Sequence, residues 1–369
     1  MTLRAFLAPH IAAMREHYTV TVVANFSDGE SQTAGRGVDF VSIPIERRIA
    51  PWRDLVVVVS LARLFRESRF ASIQSVTPKA GLLAMLAGFV ARVPVRIHIF
   101  TGQVWVTRRG AARWFLKLMD QVIASCATHV LVDSPSQRDF LIAEGVVSAD
   151  RSRVLAKGSI SGVDAARFKP DPQARRALRV QLGYREDSVV FLFLGRLNRD
   201  KGVLDLAAAF ARLAAADDRV RLLFVGPDED GMRGAIQHAL GAASTRAGFA
   251  GDTDRPERYL AAADVLCLPS YREGFGTTVI EAGACGVPAV GSRIYGVTDA
   301  IEDGVTGLLF EAGNVGELAE RMSRLASDPA LRQGMGERAR AKALRDFPAS
   351  AVTAELVGLY AAAIGSSRG

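Results

Sequence analysis

Between Asp264 and Pro288 the chain reads as an apolar run, a glycine loop and a helix, in that order. Asp264-Val-Leu-Cys-Leu-Pro269 has the length and composition of a short buried strand. Ser270-Tyr-Arg-Glu273-Gly274-Phe275-Gly276 forms the loop, and Thr277 opens a helical segment that Gly286 and Pro288 stop. A strand that feeds a helix through glycines directs backbone N–H groups and a helix N-terminus at one point, which suits an anion. Glu273 stands in this loop before the helix and Glu281 two turns further on. A carboxylate so placed would repel a bare phosphate. It fits better with a ligand that also carries hydroxyls, whose hydrogen bonds carboxylates accept. Paired Glu residues are also common on solvated helix faces, and spacing alone leaves both readings open.

A second unit of the same kind lies upstream. Ser188-Val-Val-Phe-Leu-Phe-Leu194 is the continuous apolar run expected of a buried parallel strand. It runs into Gly195-Arg196-Leu-Asn-Arg-Asp-Lys201-Gly202, with a helix from about Val203. Gly195 lets the backbone approach a ligand, Arg196 can fork to a phosphate and Lys201 adds a compact charge. Further strands are expected at Arg221–Gly226 and, shorter, at Arg246–Gly251 around Phe249. A chain of 369 residues, 49% hydrophobic and only 7% aromatic, fits two α/β domains better than one core.

Taken whole, Pro269-Ser-x-x-Glu273-Gly-Phe-Gly276 with Glu281-Ala-x-Ala-x-Gly-Val-Pro288 resembles the E-x7-E region of retaining GT-B glycosyltransferases of the family 4 (group 1) type. The resemblance covers nearly the whole chain, most closely from Phe191 to Leu309. It implies an α/β fold of two Rossmann-like doubly wound domains. The expected division is an acceptor-binding domain at 1–169, a nucleotide-sugar domain at 170–345 and a helix at 346–369 returning to the first. It further implies that Glu273, with the N–H groups of Gly274, Phe275 and Gly276 and with Thr277, positions the transferred sugar, and that Glu281 holds the nucleotide ribose. Gly195, Arg196 and Lys201 fall on the donor diphosphate, and the backbone around Phe249 on the base. Arg196, Lys201 and the helix start would stabilise the leaving diphosphate without a metal, since preorganised donors act directly on developing charge. No Asp-x-Asp metal motif flanks the site, and no cofactor is expected.

The first half departs from this pattern. Leu3–Met14 reads as a helix and Tyr18–Ala24 as the strand after it, whereas a doubly wound domain normally opens with a central strand. The N-terminal domain is therefore expected to lack its first strand. Val38–Pro44 and Ala71–Val76 read as strands, Leu55–Phe65 as a helix, and Thr77-Pro78 opens an apolar helix to about Ala91. Lys79, at that helix start, reads either as a contact to an acceptor phosphate or as a plain surface lysine. Val95–Phe100 ends in the turn Thr101-Gly102-Gln103. Many family members have a His directly before this Gly; here Thr101 takes the place, and His98 sits along the strand in a structural role. Thr101 and Gly102 remain as a loop that approaches the sugar. The stretch Trp105, Arg108, Arg109, Arg113, Trp114, Phe115 and Lys117 fits a membrane interface or, equally, a core-facing aromatic stripe with a solvated basic face.

Charge separates the halves. Residues 1–169 hold 22 Lys and Arg against 13 Asp and Glu, and residues 170–369 hold 24 against 26. No nucleic-acid-binding motif accompanies the basic surplus, which leaves an anionic membrane surface or a phosphorylated acceptor as its partner. Cys126, Cys267 and Cys285 have neither disulfide nor zinc spacing. No apolar run is expected to be long enough to span a bilayer, and no secretory leader is expected. The location expected is cytoplasmic, peripheral at the inner face of the membrane. The activity expected is transfer from a nucleotide sugar, with UDP as its nucleotide, to a lipid-linked saccharide in capsule or O-antigen synthesis. The rivals are a GT-B nucleotide-sugar 2-epimerase, for which His98 is the only acid/base candidate, and an inactive nucleotide-sugar-binding protein.

Overall fold

The structure, a computed structural model, describes residues 7–26, 38–46 and 50–367. It consists of two Rossmann-like α/β units, one of Met1–Ser161 with Ala349–Gly369 and the other of Gly162–Pro348. The expected boundary at 169/170 falls inside the second unit.

The second unit runs α6 (Pro172–Gln181), β7 (Val189–Leu194), α7 (Val203–Ala216), β8 (Val220–Val225), α8 (Arg233–Leu240), β9 (Ala247–Gly251), α9 (Pro256–Ala262), β10 (Val265–Leu268), α10 (Thr277–Ala284), β11 (Ala289–Ser292), α11 (Val297–Ala300), β12 (Gly307–Phe310), α12 (Val315–Ser327) and α13 (Pro329–Asp346). Its six strands are parallel and ordered β12-β11-β10-β7-β8-β9. The chain thus starts in the middle with β7, winds out to one edge, returns beside β7 with β10 and winds out to the other. In open parallel sheets ligands bind outside the strands' carboxyl ends where the order reverses. That point lies between β7 and β10, where Val265 faces Phe191 and Leu266 faces Leu192.

The alternation of side chains explains the unbroken apolar runs. Phe191, Phe193 and Phe224 point to a layer that includes Phe210, Ile236 and Met322 from α7, α8 and α12. Leu192, Leu223 and Leu266 point to the opposite layer, with Leu260 and Ile280 from α9 and α10. A parallel sheet covered on both faces needs apolar residues at every position.

The first unit contains α1 (Ala8–Met14), β1 (Val20–Ala24), β2 (Val38–Ser42), α2 (Pro51–Ser68), β3 (Ser72–Ser75), α3 (Pro78–Val90), β4 (Val95–Phe100), α4 (Gly110–Cys126), β5 (His129–Val132), α5 (Pro135–Ala143), β6 (Ser152–Val154) and, from the chain's end, α14 (Ala349–Ser366). Residues 3–6 of the expected first helix lie outside the described residues. Two parallel ladders result, β1-β2 and β3-β4-β5-β6. Among the described residues no strand precedes α1 and none joins β1 to β3. In a doubly wound order the place between β1 and β3 is that of the first strand. Along β4, Val95, Ile97 and Ile99 pack on α14 through Val352, Leu356 and Tyr360, while Phe100 faces the core under α2, α3 and α4.

Two expectations need correction. Helix α14 is 18 residues long with a mean hydropathy of 1.3, long and apolar enough by length and composition to cross a membrane. It is apolar around its circumference rather than amphipathic, and Val352, Leu356, Leu359, Tyr360, Ala363 and Ile364 sit in the unit's core. The Trp105–Lys117 stretch is not one helix, because Val104–Thr107 form a short 3-10 turn and α4 begins only at Gly110.

Candidate functional site

The loops after β7 and β10 emerge side by side at the sheet's reversal point, and backbone contacts hold them together. Gly202 adopts φ +67°, and a Cβ there would lie 1.9 Å from the Pro269 carbonyl oxygen. Only glycine permits both the left-handed conformation and that approach. Tyr271 N–H donates to the Asp200 carbonyl at 2.8 Å, and Arg272 Nε donates to the Asp200 carboxylate at 2.8 Å. The Asn198 side chain caps the 3-10 turn Arg199–Lys201 by accepting from Lys201 N–H. A third loop joins at Gly296, whose φ of +79° lets it lie against the Gly274 carbonyl.

Lys201 and Glu273 are 72 positions apart in sequence, yet Lys201 Nζ lies 2.5 Å from Glu273 Oε1. Ser270 Oγ donates to the same oxygen at 2.7 Å. Both members of the pair are largely buried. Arg196 is more open, with its guanidinium 3.5 Å from Glu229. Behind this row Tyr271 donates to Asp205 at 2.6 Å, which with burial pushes its phenol up to about 12. Among the described residues no acceptor within the protein meets the N–H of Gly274 or Phe275, which stand just before α10. Phe275 itself is buried against Phe347, so its ring anchors the loop.

Glu281 lies one turn into α10. Burial pushes its carboxyl group up from 4.5 to about 8; Arg167 opposes the rise and Glu257 adds to it. Those two pair with each other at 2.9 Å. Among the described residues the Glu281 carboxyl makes no hydrogen bond or ion pair. A half-buried acid without a protein partner is costly unless water or a ligand supplies donors. Phe249 acts differently from a base-contacting side chain. Its ring stacks on Phe224 at 5.2 Å and lies under Arg233, so at the sheet's edge strand β9 only its backbone is available to a ligand.

The residues expected on the acceptor side belong to the first unit. Lys79 opens α3 and pairs with Asp54 of α2 at 2.7 Å, with both side chains mostly buried. It is a strut between two helices. Thr101 and Gly102 follow β4 at the carboxyl edge of its sheet, and the Thr101 carbonyl accepts from the Gln103 and Gln137 side chains at 2.7 and 2.8 Å. Gln137 also donates to Gln103 and accepts from Asp133 N–H, so the turn is fixed from α5. His98 is buried, bonded to Ser75 Oγ at 2.8 Å and pressed against Gly81, and burial lowers its pKa to about 3. It is a neutral core residue. Trp105 is buried and donates to Asp120 at 2.7 Å, while Trp114 and Phe115 face outward.

Arg196, Lys201, Glu273, Gly274–Thr277 and Glu281 thus belong to one corner of the second unit. Ser270, Asp200 and Arg272 were missed as parts of it. The mixed charges of Arg199-Asp-Lys and Tyr271-Arg-Glu signal that two loops can pair, but not in which combination. Among the described residues no group of three or more His, Cys, Asp or Glu side chains could hold a metal ion.

Residues 174–342 match the family described as glycosyl transferases group 1, and residues 5–158 match the glycosyl transferase 4-like domain. The capsular polysaccharide biosynthesis glycosyltransferase CapM of Staphylococcus aureus is 27% identical over 328 residues, covering 89% of this chain and 86% of CapM. Among solved structures, the sucrose-phosphate synthase of Thermosynechococcus elongatus superposes with a TM-score of 0.81 at 23% identity, over 98% of this chain and 92% of the synthase. HepE of Anabaena, solved in complex with UDP-glucose, gives 0.80 at 22% identity over 96% and 95%. At that identity the two structures speak for the fold.

Proposed function

Since this chain belongs to the group 1 glycosyl transferases, with the GT-B fold, we propose that it moves a sugar from a UDP-sugar to a hydroxyl acceptor with retention at the anomeric carbon. The acceptor proposed is a lipid-linked saccharide in capsule-type or O-antigen polysaccharide assembly, met at the cytoplasmic face of the membrane. The observation that carries the reading is the meeting of two glycine loops at the reversal of the sheet. There Lys201 pairs with Glu273, and Arg196 and the N–H groups of Gly274 and Phe275 belong to the same two loops. UDP is favoured by the likeness to HepE, and capsule assembly by the likeness to CapM.

In this reading the diphosphate takes Lys201, Arg196 and the start of α10, whose donors are set before the bond to the sugar breaks and so act on the growing charge. No metal is required for that step. Glu281 accepts from the ribose hydroxyls, and Glu273 accepts from a hydroxyl of the transferred sugar. A 2-epimerase loses its only acid/base candidate, because His98 is closed off in the core.

Calorimetric titration with UDP, GDP and ADP tests the donor site, on the wild type and on the Arg196→Ala/Lys201→Ala variant. Selective binding of UDP, weakened at least about a hundredfold in the variant by the loss of two charged hydrogen-bond donors, is the expected result. No binding of any of the three nucleotides would sink the assignment. The anomeric configuration of the product, read by NMR, tests retention.

A further inference from the structure

Glu273 is held through one of its two oxygens. Oε1 accepts from Ser270 Oγ at 2.7 Å and from Lys201 Nζ at 2.5 Å, and among the described residues no donor of the protein meets Oε2. The neighbouring side chains of the loop are committed elsewhere, Tyr271 to Asp205 and Arg272 to Asp200. The two donors to Oε1 are placed with different firmness. Ser270 is fully buried two residues after β10, and the Pro269 carbonyl just before it lies against Gly202. Its hydroxyl is attached directly to Cβ, so the fixed backbone fixes the donor. Lys201 reaches Oε1 at the end of a flexible four-carbon stem, and its compact charge is one that a diphosphate attracts. When Lys201 turns to a phosphate, Ser270 is the donor left to orient the carboxylate.

We propose that Ser270 is a positioning residue of the donor site: by occupying Oε1 of Glu273 it turns Oε2 toward a single hydroxyl of the transferred sugar, and so makes that hydroxyl a requirement of the substrate. Ser270 acts here within the proposed donor site, on which the inference rests. An ionised carboxylate only accepts, so the group facing Oε2 is a donor, and an acidic group of the sugar in that place is repelled. The class of donor substrate is then a nucleoside diphosphate sugar with a free hydroxyl at one ring position and no anionic group there. Selectivity follows because an analogue without that hydroxyl leaves the site's polar group unpaired. It lasts only while the carboxylate stays fixed. The terminal torsion of a Glu is soft, and a carboxylate free to turn accepts from a neighbouring hydroxyl instead. Without Ser270 it has that freedom once the diphosphate takes Lys201.

The test is calorimetric titration of the full chain, as wild type and as Ser270→Ala, Ser270→Cys and Ser270→Thr. The ligands are UDP, then UDP-glucose, UDP-galactose and UDP-N-acetylglucosamine, then analogues of the tightest-binding of these three that each lack one ring hydroxyl. The quantity read is the Kd of each analogue divided by that of its parent in the same protein, so that any general weakening of nucleotide binding cancels. In the wild type one analogue is expected to bind at least about tenfold more weakly than its parent, as befits a lost hydrogen bond to a charged group. In Ser270→Ala that loss should shrink to less than about threefold, because hydroxyl and serine act through the same carboxylate and are not additive. Ser270→Cys fills nearly the same space with a poor donor and should follow Ser270→Ala, whereas Ser270→Thr keeps the hydroxyl and should keep the loss. Urea unfolding checks the fold of each variant, and if Ser270→Ala does not fold, Ser270→Cys carries the test. A wild type indifferent to every single hydroxyl overturns the proposal. So does an undiminished loss in Ser270→Ala, or in Ser270→Cys, which would make Ser270 a packing residue. Absence of binding by UDP and by all three sugar nucleotides sinks the donor site and this inference with it, whereas nucleotide binding without the change in ratio sinks this inference alone.

Discussion

Glu281 allows binding and stability to be tested through one substitution. Its carboxyl, raised to about 8 chiefly by burial, is mostly protonated in the free protein at neutral pH. If the ribose hydroxyls donate to it as proposed, the bound state favours the carboxylate, and nucleotide binding expels a proton. Ionising the group before binding costs about a factor of ten in affinity for each pH unit below 8. UDP affinity is therefore expected to rise about tenfold from pH 7 to pH 9 and then level off. Calorimetry in buffers of different ionisation heat should register release of nearly one proton at pH 7. Glu281→Gln, neutral at every pH, should bind more weakly than the wild type at pH 9, with a flat pH profile and no proton release from this group. A flat wild-type profile, or the same slope in the variant, refutes the reasoning.

The same residue makes a stability prediction of opposite sign. Below its ordinary value of 4.5 the group is protonated both folded and unfolded, and it contributes nothing that depends on pH. Between 4.5 and about 8 the folded chain holds a proton that the unfolded chain has lost, so stability falls as pH rises through this window. Glu281→Gln removes that fall. In urea unfolding, its advantage over the wild type should grow from pH 5 to pH 8 by up to about 4 kcal/mol. Equal stability differences at the two pH values would mean that the carboxyl is not desolvated as described.

Two further substitutions probe the frame of the site. Gly202→Ala meets both a left-handed φ and the Pro269 carbonyl, and should cost at least about 2 kcal/mol in urea unfolding while weakening UDP binding; a change below a few tenths would refute the close approach. Asp264→Ala removes the acceptor of Arg175 at 2.6 Å, Arg179 at 3.1 Å and Val190 N–H at 2.7 Å, and should cost about 3 kcal/mol because a buried guanidinium loses its counter-charge. A urea midpoint equal to that of the wild type would exclude that role.

What the sequence made legible follows the range of the forces involved. Strand β7 and the loop and helix after it are local, fixed by a run of apolar residues and by glycines whose positions are visible in the chain. The donor corner was legible for that reason. Pairings across the chain were not. Lys79 offered a charge at a helix start, and nothing near it named Asp54, 25 positions upstream, as its partner. The Trp105–Lys117 stretch held one buried and one exposed tryptophan, and no periodicity separates them when a 3-10 turn interrupts the helix. Periodicity also showed α2 to be apolar, but only the packed structure shows which of its apolar residues are left uncovered.

The pairing of Lys201 with Glu273 bears directly on how the site would work. In the free protein the cations meant for a diphosphate already have acids beside them: Lys201 has Glu273, and Arg196 has Glu229 at 3.5 Å. Among the described residues the N–H donors of Gly274 and Phe275 and the half-buried Glu281 carboxyl have no partner in the protein. On the proposed function, a nucleotide diphosphate bound here would meet these unpaired donors and have to draw Lys201 away from its carboxylate. Once it does, Glu273 keeps Ser270 as a donor and regains capacity for a sugar hydroxyl. Phosphate capture and sugar positioning then become one event, because the lysine cannot serve both partners fully. A bare anion gains only the first half of that exchange and leaves a carboxylate uncompensated beside it, so the arrangement discriminates in favour of a phosphate that brings its own hydroxyls.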